Sequence, residues 1–207
     1  NLRFREHKED ERAHYAEAAY DIEYQVSKNE WKEMEGIHDR GEWDLKRHQE
    51  FSGKDLSYFD EEDSKKYLPR IIETSGGLDR AILFFLVDAY KEEDGRVILR
   101  LNSKLAPYKA AVFPLLANKP ELVELAQTVY KDLKNNFLDI GPIIWDDRGN
   151  IGKRYYAQDE IGTPYCITID FDSLEKKDVT VRDRDTTKQK RIKIAELKEY
   201  LLEKLNE

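Results

Sequence analysis

Alternation and helical spacing divide the chain into two stretches of different character. Residues 19–26 alternate, with Tyr20, Ile22, Tyr24 and Val26 on one side and Asp21, Glu23 and Gln25 on the other, which predicts a half-buried strand. Residues 31–37 alternate as well, placing Trp31, Glu33, Glu35 and Ile37 on one face, and the polar run Ser27–Glu30 reads as the turn between two antiparallel strands. If their polar sides coincide, Asp21, Glu23, Glu33 and Glu35 line one side of a sheet, a crowding of carboxylates that water, a metal or an ammonium group must relieve; a solvated sheet face is the plainer alternative. Lys8–Tyr15 has helical spacing, Asp44–Ser52 predicts a helix with a charged outer face, and Lys54–Lys66 reads as irregular or part-helical. A strand over 67–73 then meets two glycines and a nearly all-apolar helix over 79–90, expected to be buried. Residues 96–106 have no clear period.

The second stretch reads as strand, helix, strand, helix, strand. The apolar run 108–115 suits a buried parallel strand, and Pro120 opens an amphipathic helix carrying Leu122, Val123, Leu125, Ala126, Val129, Tyr130 and Leu133. Strands over 140–146 and 165–171 bracket a helix over 151–161. A two-stranded ribbon over 179–194 and a helix over 195–205 close the chain. Alternation of strands and helices predicts a mostly parallel sheet covered on both faces. The boundary between the stretches is placed at Leu105-Ala106-Pro107, because proline and the residue before it resist helix.

Composition narrows the classes without naming one. A chain of 207 residues suits one or two domains, and its only long apolar run, Ala81–Val87, is too short to cross a bilayer. Cys166 is the single cysteine, so an internal disulfide is excluded and a reducing compartment fits; lying in an apolar strand, it reads as buried and inert. The net charge of −8 argues against a non-specific nucleic-acid binder. Lys188-Gln189-Lys190-Arg191-Ile192-Lys193 qualifies that, with four cations in six residues close to Arg182 and Arg184. Such a patch can hold RNA phosphates, or it can be an edge hairpin protected from aggregation by its lysines. The four histidines show no zinc-ligand spacing, and neither a P-loop nor a nucleophile-elbow pattern is present.

The most specific feature is Ile71-Ile72-Glu73-Thr74-Ser75-Gly76-Gly77-Leu78-Asp79-Arg80. Arg80 stands at the head of a helix, where the macrodipole disfavours a cation, and its planar fork suits phosphate oxygens. A buried strand-turn-helix with a surface arginine is the plain alternative. The segment resembles motif 3 of class II aminoacyl-tRNA synthetases, in the form V-I-E-P-S-x-G-x-x-R found in glycyl-tRNA synthetases of the dimeric type, with Thr74 in the proline position. Residues 2–7, 31–37, 44–49, 52–56, 105–107, 158–166 and 181–186 resemble the same family in the same order.

That resemblance implies an α+β and α/β architecture: the C-terminal part of a class II antiparallel catalytic core over residues 1–104, then an α/β anticodon-binding domain over 105–207. It implies an ATP-dependent glycine–tRNA ligase with glycine, ATP carrying Mg²⁺ and tRNA(Gly) as partners, no prosthetic group or resident metal, a homodimer when full length, and a cytoplasmic, membrane-free location. It assigns Glu33, Glu73 and Ser75 to the glycine ammonium and Arg80 to ATP. The cations Arg182, Arg184, Lys190 and Arg191 become candidate RNA contacts. The family's motifs 1 and 2 lie upstream of the segment matching Leu2-Arg3-Phe4-Arg5-Glu6-His7, so the chain is expected to be a fragment, inactive by itself, with no catalytic side chain of its own to name. The alternative is a non-catalytic nucleic-acid-binding or polymerase-accessory protein on the same scaffold.

Overall fold

The computed structural model describes residues 1–136 and 141–206, in two compact units, Asn1–Val87 and Asp88–Glu207. In the first unit, β1 (Leu2–Glu6), β2 (Ala18–Ser27), β3 (Glu30–Gly41) and a later strand, β6 (Ile71–Gly76), form an antiparallel sheet in the order β1-β2-β3-β6. Between β3 and β6 come α1 (Trp43–Ser52) and a small hairpin of β4 (Tyr58–Asp60) and β5 (Lys65–Tyr67). Helix α2 (Leu78–Ala89) follows β6. Gly53 ends α1 in the left-handed region, its N–H reaching Gln49 O at 3.0 Å.

Three expectations change here. Lys8–Tyr15 forms turns instead of a helix, because its side chains hold the backbone by other means: Glu11 accepts the Lys8 N–H at 3.1 Å, and Arg12 donates to the carbonyls of His7 and Glu17. The β4–β5 hairpin occupies the stretch read as irregular. Helix α2 buries only Phe84, stacked on Tyr24 of β2 with ring centroids 5.2 Å apart, and Ala89; Leu78, Ile82, Leu83, Phe85, Leu86 and Val87 are exposed.

The second unit opens with a hairpin that the sequence did not announce, β7 (Tyr90–Glu93) and β8 (Arg96–Leu99). Its main sheet contains β9 (Ala110–Pro114), β10 (Ile143–Trp145), β11 (Tyr165–Ile169), β12 (Asp178–Asp183) and β13 (Gln189–Lys193), in the order β10-β9-β11-β12-β13. The first three run parallel and the ribbon β12–β13 is antiparallel. Helices α3 (Pro120–Asn136), α4 (Ile151–Ile161), α5 (Phe171–Lys176) and α6 (Leu197–Asn206) complete it. Expected strand residue Ile140 lies outside the described residues.

Both faces of this sheet are covered, as alternation predicts. Ala110, Val112, Ile167 and Ile169 pack with Leu122, Ala126, Val129 and Leu133 of α3 and Leu197, Leu201 and Leu205. Ala111, Phe113 and Cys166 meet Ile151 and Tyr155 of α4 on the other side. The compact unit begins at Asp88, earlier than the expected boundary at Leu105, because β8 packs on α4. Gly162, at φ +84°, makes that approach possible: a Cβ there would stand 3.0 Å from Leu99 O. Among the described residues, no helix is long and apolar enough to cross a membrane.

Candidate functional site

One face of the first unit's sheet collects its charge. Register pairs Asp21 with Gly36, and Ser75 and Glu73 with Gly36 and His38, so all of these residues share that face. A bulge at Met34 then changes the parity of β3: Glu23 pairs with Glu33, while Ile22 pairs with Glu35. Glu33 therefore joins Asp21, Glu23, Glu73 and Ser75, and Glu35 leaves for the apolar side. The four-carboxylate grouping expected from simple alternation is corrected in that one member.

Cations from β1 relieve the crowding. Arg3 Nε lies 2.6 Å from Glu23, and Arg5 bridges Glu23 at 3.2 Å and Asp21 at 3.3 Å. His7 Nε2 lies 2.7 Å from Asp21. Asp21 and Glu23 are buried and matched in this way, whereas Glu33 and Glu73 keep substantial solvent access.

Arg80, in the first turn of α2, returns to β3. Its Nη1 donates to Glu33 O at 3.1 Å and lies 3.6 Å from the Glu33 carboxylate. Glu73 is engaged by Arg40, a residue that sequence reasoning missed. Arg40 Nη1 donates to Glu73 at 2.5 Å, while its other edge forms a bidentate pair with Asp44 at 2.6 and 2.7 Å and its guanidinium carbon sits 3.9 Å from the Tyr15 ring centre. Hydrogen bonds to Asp44 first, then Glu73, raise the Arg40 pKa, and Asp44 is held below its ordinary carboxylate value. The i,i+4 spacing of Arg40 and Asp44 was visible in sequence; the tie to Glu73 was not.

Gly36 lies on the same face between the two glutamates. Glu33 and the position opposite Glu73 are separated by roughly 15 Å along β3, so both carboxylates border one small ligand only by leaning toward Gly36. The space above Gly36 is narrow: an added Cβ would stand 2.9 Å from His38 Cε1 and 3.9 Å from Asp21. This arrangement offers carboxylates and a hydroxyl to an ammonium group, with Arg80 at one end as an anion partner. Among the described residues, no cluster of three or more histidine, cysteine, aspartate or glutamate side chains could hold a metal.

The second unit rearranges the expected RNA contacts. Arg182 and Arg184 are buried. Arg182 donates from Nη1 and Nη2 to both oxygens of Asp159, at 2.9 and 3.0 Å, and Asp159 also takes Arg96 of β8 at 2.7 Å. Arg184 donates to Gly162 O at 2.8 Å and Leu101 O at 2.9 Å and pairs with Asp185. Both therefore act as internal ties, and their guanidinium groups are unavailable to a phosphate. Arg191 is paired with both Asp170 and Asp178, and Lys190 is exposed, its Nζ 5.2 Å from the Tyr200 ring centre. Only these last two retain the accessibility the sequence reading required. Cys166 is buried as expected, and burial pushes its thiol far up.

A parallel-cored α/β sheet with a ribbon at one edge defines the class of the second unit: residues 109–204 match the anticodon binding domain family. Nearly the whole chain is similar to glycine–tRNA ligases, as the ordered motifs implied. It is 50% identical to the glycine–tRNA ligase of Borreliella burgdorferi over 97% of this chain and 45% of that protein. It is 50% identical to that of Caldanaerobacter subterraneus subsp. tengcongensis and 48% identical to that of Clostridium acetobutylicum, each over 99% of this chain and 44% of the relative. The chain thus spans less than half the length of the curated relatives it matches, and its homologues are enzymes that ligate glycine and tRNA.

Proposed function

We propose that this chain is the C-terminal part of a glycine–tRNA ligase, with residues 1–104 contributing to the catalytic core and residues 105–207 binding tRNA(Gly). The observation that carries the reading is the shared face of Glu33, Gly36, Glu73 and Ser75 with Arg80 at its end, in a chain half identical to glycine–tRNA ligases. On this reading Glu33 and Glu73, both leaning toward Gly36 from their pairs with Arg80 and Arg40, would meet the glycine ammonium, with the Ser75 hydroxyl completing its hydrogen bonds.

In the first step the glycine carboxylate attacks the α-phosphorus of ATP; the bond from that phosphorus to the α,β-bridging oxygen breaks, and pyrophosphate leaves with the electron pair. In the second step a terminal ribose hydroxyl of tRNA attacks the activated carbonyl and AMP departs. Neither step needs a protein nucleophile, so the chain's task is positioning and charge stabilisation. Arg80 would meet the nucleotide, and Mg²⁺ arriving with ATP would supply further positive charge to its phosphates. The charge on the reacting phosphate is matched by residues of the longer protein, which acts as a homodimer in the cytoplasm.

The test is a segment exchange. Residues 1–207 replace the corresponding part of the Borreliella burgdorferi glycine–tRNA ligase, and charging is measured with each amino acid. Glycine-specific charging that falls on Glu73→Gln supports the reading. A folded chimera that binds tRNA but activates no amino acid would favour the non-catalytic alternative.

A further inference from the structure

A pocket of about 660 Å³ opens in the second unit between α3, α5 and the single helical turn Ile194–Glu196 that follows β13. Its apolar walls are Leu125 of α3, Leu174 of α5, and Ile194 and Ala195 of that turn. Leu125 and Ile194 are partly buried against the main core, whereas Leu174 remains 38% exposed. Ser173 also borders the space but is already committed, its hydroxyl and its N–H both donating to Asp170 Oδ1 at 3.0 Å. The charged residues at the pocket are Lys177, Lys193 and Glu196, two cations against one anion on a chain whose net charge is −8. Lys193 is partly spent: its Nζ donates to Lys176 O at 2.9 Å and stands 3.9 Å from Asp178. Lys177 is exposed, and among the described residues no hydrogen bond or ion pair holds its ammonium. It caps α5 in the left-handed region, at φ +50°, with its N–H reaching Ser173 O at 3.1 Å. Glycine is the ordinary residue at such a cap, because a Cβ is disfavoured there. A lysine held against that cost, its ammonium unmatched beside an apolar pocket, points to a use for the side chain.

We propose that this pocket binds a small amphipathic monoanion, an aliphatic body ending in one carboxylate, with the body against Leu125, Leu174 and Ile194 and the carboxylate on Lys177. The volume and the mostly apolar walls with a few charged groups are those of a small-molecule site. None of the lining residues is aromatic, so a nucleobase has no ring to stack on. Lys177 supplies a charge-assisted donor to the carboxylate, and Glu196 repels a second negative charge, which favours a monoanion over a dicarboxylate. The site shares no residue with those assigned above to glycine, ATP or RNA, and the proposal stands apart from those readings.

The test uses the 207-residue chain and octanoate, with octylammonium and the dicarboxylate suberate as controls of charge, followed in methyl NMR spectra. Octanoate is expected to shift the Leu125, Leu174 and Ile194 methyl signals saturably, and each control is expected to bind at least about five-fold more weakly. Lys177→Gly removes the ammonium and the disfavoured Cβ together. It is expected to leave the urea midpoint close to that of the parent while weakening octanoate about five- to ten-fold. Lys177→Arg keeps the charge and is expected to retain most of the affinity. The proposal is overturned by equal affinity for the three probes, by octanoate binding that Lys177→Gly leaves unchanged, or by the absence of saturable shifts at these methyl groups.

Discussion

The two units differ in what they bury. Among the described residues of the first, only Ala19, Tyr24 and Phe84 are buried apolar side chains, while α2 exposes six large apolar residues and the sheet exposes Leu2, Phe4 and Ile72. The second has a continuous core drawn from β9, β11, β12, α3 and α6, and a smaller one beneath α4. A helix apolar on every side belongs in the interior of something larger. The second unit buries a continuous core of its own, whereas the first leaves most of its large apolar side chains exposed, in a chain that covers 45% of the length of its Borreliella burgdorferi relative.

Hydrogen exchange on the whole chain gives the largest contrast. Amides of β9 and β11 are expected to be protected by several orders of magnitude more than those of β3, β6 and α2. Equal protection in both units would break the comparison. Within the second unit, Asp159→Ala leaves Arg182 and Arg96 without their shared carboxylate and is expected to destabilise that unit by about 3–5 kcal/mol, read as a shift of its urea midpoint. A change limited to the first unit's transition would contradict the role given to this buried triad.

A smaller effect is expected from acid. Asp146 is buried and Asp170 part-buried; burial opposes the shift in each, but Arg148 and Arg191 hold them below the ordinary carboxylate pKa. Because their folded-state values are depressed, the stability they contribute is present above the unfolded carboxylate pKa and disappears as pH falls through the folded value. Thermal melts of the second unit should therefore be flat near neutrality and decline below about pH 4. A melting temperature rising over that range would have the wrong sign. The smallest signal is chemical: the buried Cys166 thiol should react with a disulfide reagent only as fast as the second unit opens.

Much of this organisation was legible in the sequence. The bounds of α4, the proline start of α3, the turn between β2 and β3 and the two-faced second sheet all follow from local pattern. The bulge at Met34 was not legible, because a strand's period cannot show an extra residue, and that residue decides which side Glu33 occupies. The burial of Arg182 and Arg184 was hidden for a different reason: their partners, Asp159 and the carbonyls of Gly162 and Leu101, are remote in sequence. Charge clustering along a chain says nothing about which cations are already matched in space. The burial expected for α2 follows from its composition alone, and among the described residues nothing covers Leu78, Ile82, Leu83, Phe85, Leu86 or Val87.

Glycine-dependent exchange of pyrophosphate into ATP tests the account most directly, measured with the 207-residue chain alone and again with the upstream half of a relative produced separately. The account predicts no exchange by the chain alone and glycine-dependent exchange when the upstream half is added, lost again with Glu33→Gln or Glu73→Gln. Exchange by the isolated chain, or exchange in the mixture that is indifferent to glycine, would contradict it.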